Sequence, residues 1–139
     1  MSKLIIDNRV FAENGDNKYS SSDIRKWLIS DFYQTAFSAS EQELMKNLTE
    51  DKLNDAVYLL SQNDAEKLKN ESYFKCLSSD YALARGCMLQ GGFANWLLRS
   101  PGFATNQVCF VSNSGLIMDF HAVTHNYKGT RVGITVKIK

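Results

Sequence analysis

Trp96-Leu97-Leu98-Arg99-Ser100-Pro101-Gly102 sets an aromatic, two leucines and an arginine before a Ser-Pro-Gly that holds the only proline of the chain. The apolar run reads as a strand. Ser-Pro-Gly reads as the sharp turn after it, because proline fixes its own φ and glycine reaches conformations closed to other residues. Downstream, from Gln107, the pattern has a period of two: Val108-Cys109-Phe110-Val111, a turn at Asn113-Ser114-Gly115, Leu116-Ile117-Met118-Asp119-Phe120, and finally Val132-Gly133-Ile134-Thr135-Val136-Lys137-Ile138. Such alternation predicts antiparallel strands, the last with apolar residues on one face and Gly133, Thr135 and Lys137 on the other. Gln90-Gly91-Gly92-Phe93, just upstream, lacks the Lys-Ser/Thr of a phosphate-cradling loop and reads as a flexible connection.

Toward the N-terminus the period changes to that of helices. Ser22 is a good N-cap, Asp23 suits the positive end of a helix dipole, and Ile24, Trp27, Leu28 and Phe32 recur at spacings that predict an amphipathic helix to about Thr35. Ser38-Ala39-Ser40-Glu41 is a capping box opening a second helix to about Asn47. Ala56-Val57-Tyr58-Leu59-Leu60 reads as a buried strand running into a helix capped at Ser61 and reaching about Lys69. Ser79 to Gly86 reads as a cap, barely two helical turns and a closing glycine. Leu4-Ile5-Ile6 and Val10-Phe11 read as a short strand or paired extended segments, followed by a polar turn at residues 13–17. Helices in the first two-thirds and strands in the last predict an α+β fold of a single domain over residues 1–139, with N-terminal helices packed on a small, mostly antiparallel sheet.

Composition bounds the function. A hydrophobic content of 44% with 22% charged residues belongs to an ordered globular chain. No apolar run approaches the roughly 20 residues that cross a bilayer, and the start of the chain is too soon charged for a signal peptide. Three cysteines, Cys76, Cys87 and Cys109, without C-x-x-C spacing argue against a disulfide framework or a zinc knuckle, so a cytoplasmic setting is expected. Residues 1–80 hold 10 Lys/Arg against 14 Asp/Glu and residues 81–139 hold 6 against the single Asp119. Two halves neutralising each other explain that asymmetry better than a nucleic-acid face, which shows denser basic clustering.

The Trp96–Gly102 run, together with Ser22-Asp23-Ile24-Arg25-Lys26-Trp27-Leu28, Ala36-Phe37-Ser38, Val57-Tyr58-Leu59-Leu60-Ser61 and Asp80-Tyr81-Ala82, resembles a bacterial domain-of-unknown-function family numbered 6273. That family's run reads Trp-Trp-Leu-Arg-Ser-Pro-Gly. Leu97 replaces the second tryptophan, and the family's closing Gly-Val-Arg-Pro-Ala stands here as Gly133-Ile134-Thr135-Val136-Lys137. An aromatic-Arg-Ser strand, a Gly-tipped hairpin and a closing strand are also similar to C-type-lectin-like domains, which implies that architecture by analogy alone. The calcium-dependent sugar site of such folds has no counterpart around Pro101, and Cys87 and Cys109 lack the motif of the formylglycine-generating relatives.

Arg99 offers a planar fork or stacking surface for a carboxylate or aromatic ligand beside Trp96. The competing reading, which we prefer, has Arg99 tying loop carbonyls or an internal carboxylate while Ser100, Pro101 and Gly102 turn the chain. Trp27 and Trp96 are expected in the core. Asp119 and His121, two apart in a strand, are expected to face the same way, with His125 and Tyr127 following in a loop. Arg99, His121, His125 and Tyr127 are therefore the candidate ligand-binding residues. Asp119, His121 and His125 are weak metal candidates without a recognised ligand spacing, and no cofactor is expected. Three functions stay open. The first is a non-catalytic binding or scaffold module offering the loops 86–95, 100–106 and 121–131 to a protein or small ligand. The second is a metal-assisted hydrolase or transferase using Asp119, His121 and His125 with Arg99 as anion clamp. The third is a phage- or mobile-element accessory protein that binds a host factor.

Overall fold

The computed structural model describes residues 1–138. Strands β1 (Leu4–Ile5) and β2 (Asp7–Asn8) precede one continuous helical stretch, in which α1 (Asp23–Trp27) passes through a π-helical turn at Leu28–Phe32 into α2 (Tyr33–Ala36). Next come α3 (Ala39–Leu44), β3 (Met45–Lys46), β4 (Val57–Leu59), α4 (Gln62–Leu68), β5 (Leu77–Ser78) and α5 (Asp80–Ala84). The remainder is strand: β6 (Leu89–Gln90), β7 (Phe93–Ala94), β8 (Trp96–Pro101), β9 (Gln107–Val111), β10 (Ile117–Ala122), β11 (Gly129–Thr130) and β12 (Val132–Val136). The molecule is α+β, with a five-stranded sheet in the order β10-β9-β8-β11-β2 that curls into a half-barrel.

The predicted caps are present atom by atom. Ser22 accepts from the Arg25 N–H, Ser38 and Glu41 close a capping box, as do Ser61 and Asp64, and Ser79 accepts from the Ala82 N–H. Each satisfies a backbone donor that the first turn of a helix leaves without a partner. Gly86 ends α5 with φ +98°, open to glycine at no steric cost.

Strand β8 is buried on both faces, which explains why its leucines stand side by side instead of alternating with polar residues. Leu97 packs into one apolar cluster with Val57, Leu59, Val108 and Phe110. Trp96 and Leu98 pack into a second with Tyr58, Leu60, Cys109 and Val111. The two clusters occupy the two faces of the same strands, and the helical stretch covers the first through Ile24 and Leu28. Trp27 sits at the rim of that cluster, partly buried, with the Arg9 guanidinium 3.8 Å above its ring. The core expectation therefore holds for Trp96, which is fully buried, and in part for Trp27, which packs against the core from its edge.

Four further expectations are corrected. β12 does not join β9 and β10. It pairs antiparallel with β3 and β4, because the chain turns away after β11 and the edge of β4 accepts Val132, Gly133 and Ile134. Its faces are also not the simple alternation expected: Gly133 is buried against the Tyr58 ring, while Val136 is 53% exposed at the strand end. The Gln90–Phe93 segment is a hairpin turn between β6 and β7, with Gly91 and Gly92 both at positive φ. That pair of angles closes a two-residue turn in register with strand twist. Val10-Phe11 forms no strand, and Phe11 is instead a buried core side chain.

Gly102 is dictated by space. A Cβ there would overlap the backbone carbonyl oxygen of Asp119 and lie within 3.0 Å of the Gln107 backbone. Gly102→Ala is expected to cost about 3 kcal/mol in urea unfolding. Gly91→Ala, in open space at φ +62°, is expected to cost about 1 kcal/mol.

Candidate functional site

Arg99 lies at a break in β8. Leu97 pairs with Phe110 and Pro101 with Val108, so four residues of β8 span two of β9 and the intervening backbone leaves the ladder. The Arg99 N–H turns to the carbonyl of Leu60, 2.8 Å away, and Nη1 donates to the Leu59 carbonyl at 2.8 Å. The same guanidinium reaches Asp64 at 3.3 Å, Asp51 at 3.1 Å and Glu50 at 3.3 Å. Only 3% of its side chain is exposed, while Glu50 and Asp51 are about two-thirds exposed. The buried carbonyl and the half-buried Asp64 are therefore the firm partners, since an exposed carboxylate is screened by water. Ser100 accepts from the Gln62 N–H at the start of α4, and the Cys109 thiol donates to the Pro101 carbonyl. The Arg-Ser-Pro-Gly motif thus binds other parts of its own chain.

Its grip on residues 50–51 has a conformational side. Asp51 and Lys52 hold φ of +54° and +60°, a left-handed pair without glycine. Such backbone costs on the order of 1–3 kcal/mol per residue and persists only where surroundings enforce it. Arg99 from inside, and the burial of Leu53 after the turn, supply that enforcement.

The histidines form a separate cluster. β10 carries a bulge: Met118 pairs with Phe110 and His121 with Val108, three residues against two. The extra residue breaks alternation, so Asp119 and His121 do not face the same way, contrary to expectation. His121 packs on the Phe110 side at 6.1 Å between ring centroids, whereas the Asp119 charge is felt by Cys109 on the other side. His121 meets His125 and Tyr127 edge to face, and its Nε2 lies 3.3 Å from the His125 carbonyl. His125 Nδ1 lies 3.4 Å from the Tyr127 hydroxyl. The structure therefore gathers His121, His125 and Tyr127, and leaves Asp119 and Arg99 outside. Among the described residues no group of three or more His, Cys, Asp or Glu side chains is placed to hold a metal ion.

Reading the sequence missed the fourth member, Lys128, which is 6% exposed. Its Nζ lies 4.1 Å from the Phe110 ring centre and 4.7 Å from that of Tyr127, so ring faces take the place of a carboxylate. Burial pushes the Lys128 ammonium pKa down. Burial, and then the Lys128 charge, push His121 down to about 4. His121 is therefore neutral near neutral pH, and its buried Nδ1 has no hydrogen-bond partner. The cysteines are free and buried, with burial raising the Cys76 pKa to about 11, which makes them poor nucleophiles.

The 100–106 loop, one of the three candidate binding loops, carries a residue the sequence did not single out: Phe103, 89% exposed, is the most exposed aromatic of the described residues. The sequence signal was a single large aromatic set among Gly102, Ala104, Thr105 and Asn106.

Arg99→Met is expected to cost about 3–5 kcal/mol in urea unfolding, because it strands the Leu59 carbonyl and Asp64. Ser100→Ala is expected to cost about 1 kcal/mol through the lost Gln62 cap. For His121, the unfolded chain takes up a proton as pH falls through about 6.5 and the folded chain only near 4. Its stability contribution is thus whole above that window and is lost as pH falls through it, by at most about 3 kcal/mol. His121→Phe is expected to flatten that pH slope, and unfolding titrations across the window measure it.

No helix among the described residues is long and apolar enough to cross a membrane. No curated protein and no solved structure matches the chain. The family model described as "Domain of unknown function (DUF6273)" matches residues 1–138. With nearly every residue inside that match, the chain belongs to the DUF6273 family.

Proposed function

We propose that the chain is a non-catalytic binding module on a C-type-lectin-like α+β scaffold, and that the 100–106 loop is its principal contact with a protein partner. The observation that carries this reading is Phe103. A phenylalanine 89% exposed gains nothing from the fold it stands on. Yet the loop beneath it is held firmly: Gly102 N–H donates to the Gln107 carbonyl, Phe103 N–H to the Asp119 carbonyl and Gln107 N–H to the Ala104 carbonyl. Asn17 ties the far side, its backbone N–H donating to Thr105 and its side-chain amide to the carbonyls of Ala104 and Gln107. An aromatic on a pre-ordered backbone is the kind of side chain that anchors interfaces, since little entropy is left to lose on binding.

The other loops support the same reading. Met88 is 61% exposed, and its N–H donates to the Tyr127 carbonyl, which joins the 86–95 and 121–131 loops. The order of an aromatic-Arg-Ser strand, a Gly-tipped hairpin and a closing strand supports the lectin-like scaffold.

A photo-crosslinking residue at position 103 is expected to give a discrete adduct in native lysate, and one at exposed Ser40 none. Phe103→Ala is expected to leave unfolding stability within about 0.5 kcal/mol of the parent. An absence of adducts at 103, or the same adducts from both positions, would sink the reading.

A further inference from the structure

Arg131 is 1% exposed and carries a full positive charge into the interior. Its Nε donates to the Ser2 carbonyl at 2.9 Å, Nη1 to Phe74 at 2.9 Å and Nη2 to Tyr73 at 2.7 Å, and its guanidinium lies 4.9 Å from the Trp96 ring. A guanidinium has five N–H donors, so carbonyls account for three of them. No carboxylate pairs with Arg131 among the described residues. Arg99, the other buried arginine, has three carboxylates. Carbonyl dipoles and a ring face leave a buried cation under-compensated, and burial accordingly lowers the Arg131 pKa.

Arg131, its charge lying just beneath the surface, is among the residues that line a cavity of about 620 Å³. Leu68, Tyr73, Leu77 and Phe93 supply its apolar surface, and Tyr73 and Leu77 are about half exposed. Its other charged side chains are Lys3 and Lys75, and no aspartate or glutamate lines it. Neither lysine is in an ion pair among the described residues, and Lys75 Nζ stands 5.5 Å from the Phe93 ring centre. The volume falls within the range of roughly 300–1,000 Å³ that holds small organic ligands.

We infer that this cavity binds a small amphipathic carboxylate, an apolar chain or ring ending in a carboxylate group. The carboxylate supplies the counter-charge that Arg131, Lys3 and Lys75 lack, and the apolar body covers Leu68, Tyr73, Leu77 and Phe93. A compact polyanion such as inorganic phosphate leaves those apolar side chains in water, and a cationic amphiphile meets three like charges. The cavity shares no residue with the 100–106 loop, so this site and the protein contact stand or fall separately.

The test is chemical-shift mapping on the intact protein with three probes of equal chain length, decanoate, decanol and decyltrimethylammonium, each below its micelle threshold. Decanoate is expected to bind saturably, to shift Tyr73, Leu77 and Phe93, and to raise the melting temperature by linkage to the folded state. Decyltrimethylammonium is expected not to shift these residues, and decanol to bind at least tenfold more weakly than decanoate. The Lys3→Glu/Lys75→Glu variant changes only exposed side chains and is expected to keep its parent melting temperature while binding decanoate at least tenfold more weakly. Arg131 is left intact, because its loss also strands three carbonyls. Equal binding of all three probes, unshifted cavity residues, or an affinity indifferent to the lysine reversals would overturn the proposal. Shifts at these residues that track protein concentration without any probe would assign the face to a second copy, and would overturn it too.

Discussion

The paired bonds from Arg99 to the end of β4, backbone N–H to Leu60 and guanidinium to Leu59, join the two sheets. β8 belongs to the five-stranded sheet and β4 to the three-stranded one. Where β8 leaves its ladder with β9, backbone groups lose their regular partners, and buried groups of that kind are costly unless satisfied. The Arg99 N–H recovers one bond across the sheet junction, and the side chain consumes the next carbonyl along. Ser100 then fixes the first turn of α4, whose Asp64 returns to the Arg99 guanidinium. Strand, helix and sheet junction are thereby locked by two consecutive residues, and both apolar clusters pack against the strands so joined.

The molecule compensates its three buried cations in different ways. Arg99 has carboxylates, Arg131 has carbonyls and the Trp96 ring, and Lys128 has the rings of Phe110 and Tyr127. Carboxylates cancel charge, whereas carbonyl dipoles and ring quadrupoles lower its energy without cancelling it. The charge surplus of the C-terminal segment is therefore not spread evenly. It is neutralised at Arg99 by acidic residues from positions 50–64, as opposite charge in the two halves of the sequence anticipates, and it remains uncancelled at Lys128 and Arg131. Asp7 pairs likewise with Arg85, so neutralisation between halves is real at these two loci and incomplete at others.

Much of this architecture was readable because it is encoded locally. The caps at Ser22, Ser38, Ser61 and Ser79 use residues three apart, and the β9–β10 hairpin uses neighbours around Gly115, so short windows contain the whole interaction. The partner of β12 was not readable, since its pattern suits any apolar edge and β4 lies some 75 residues away in sequence. The bulge in β10 was equally hidden: one extra residue reverses the facing of Asp119 relative to His121 without leaving any mark in composition. Lys128 and Arg131 give no local sign of burial, because a lysine beside a glycine, or an arginine in a short segment between glycines, ordinarily signals a solvated loop. Their burial follows from β11 slotting between β8 and β2, a long-range event.

That division bears on where function resides. The Trp96–Gly102 run, the most recognisable part of the sequence, is consumed by the fold: Trp96 in the core, Arg99 and Ser100 on internal partners, Gly102 under a backbone carbonyl. Its polar groups are thus engaged within the chain, although Arg99, Ser100 and Pro101 also line a surface cavity of about 340 Å³. Its two ends nonetheless position what is free. Gly102 sets Phe103 on a bonded loop with its ring in solvent, and Trp96 holds the guanidinium of Arg131 at the edge of an apolar cavity. The motif thus acts as a frame, and the unsatisfied chemistry, an exposed ring on one side and an uncancelled charge on the other, lies immediately beyond it.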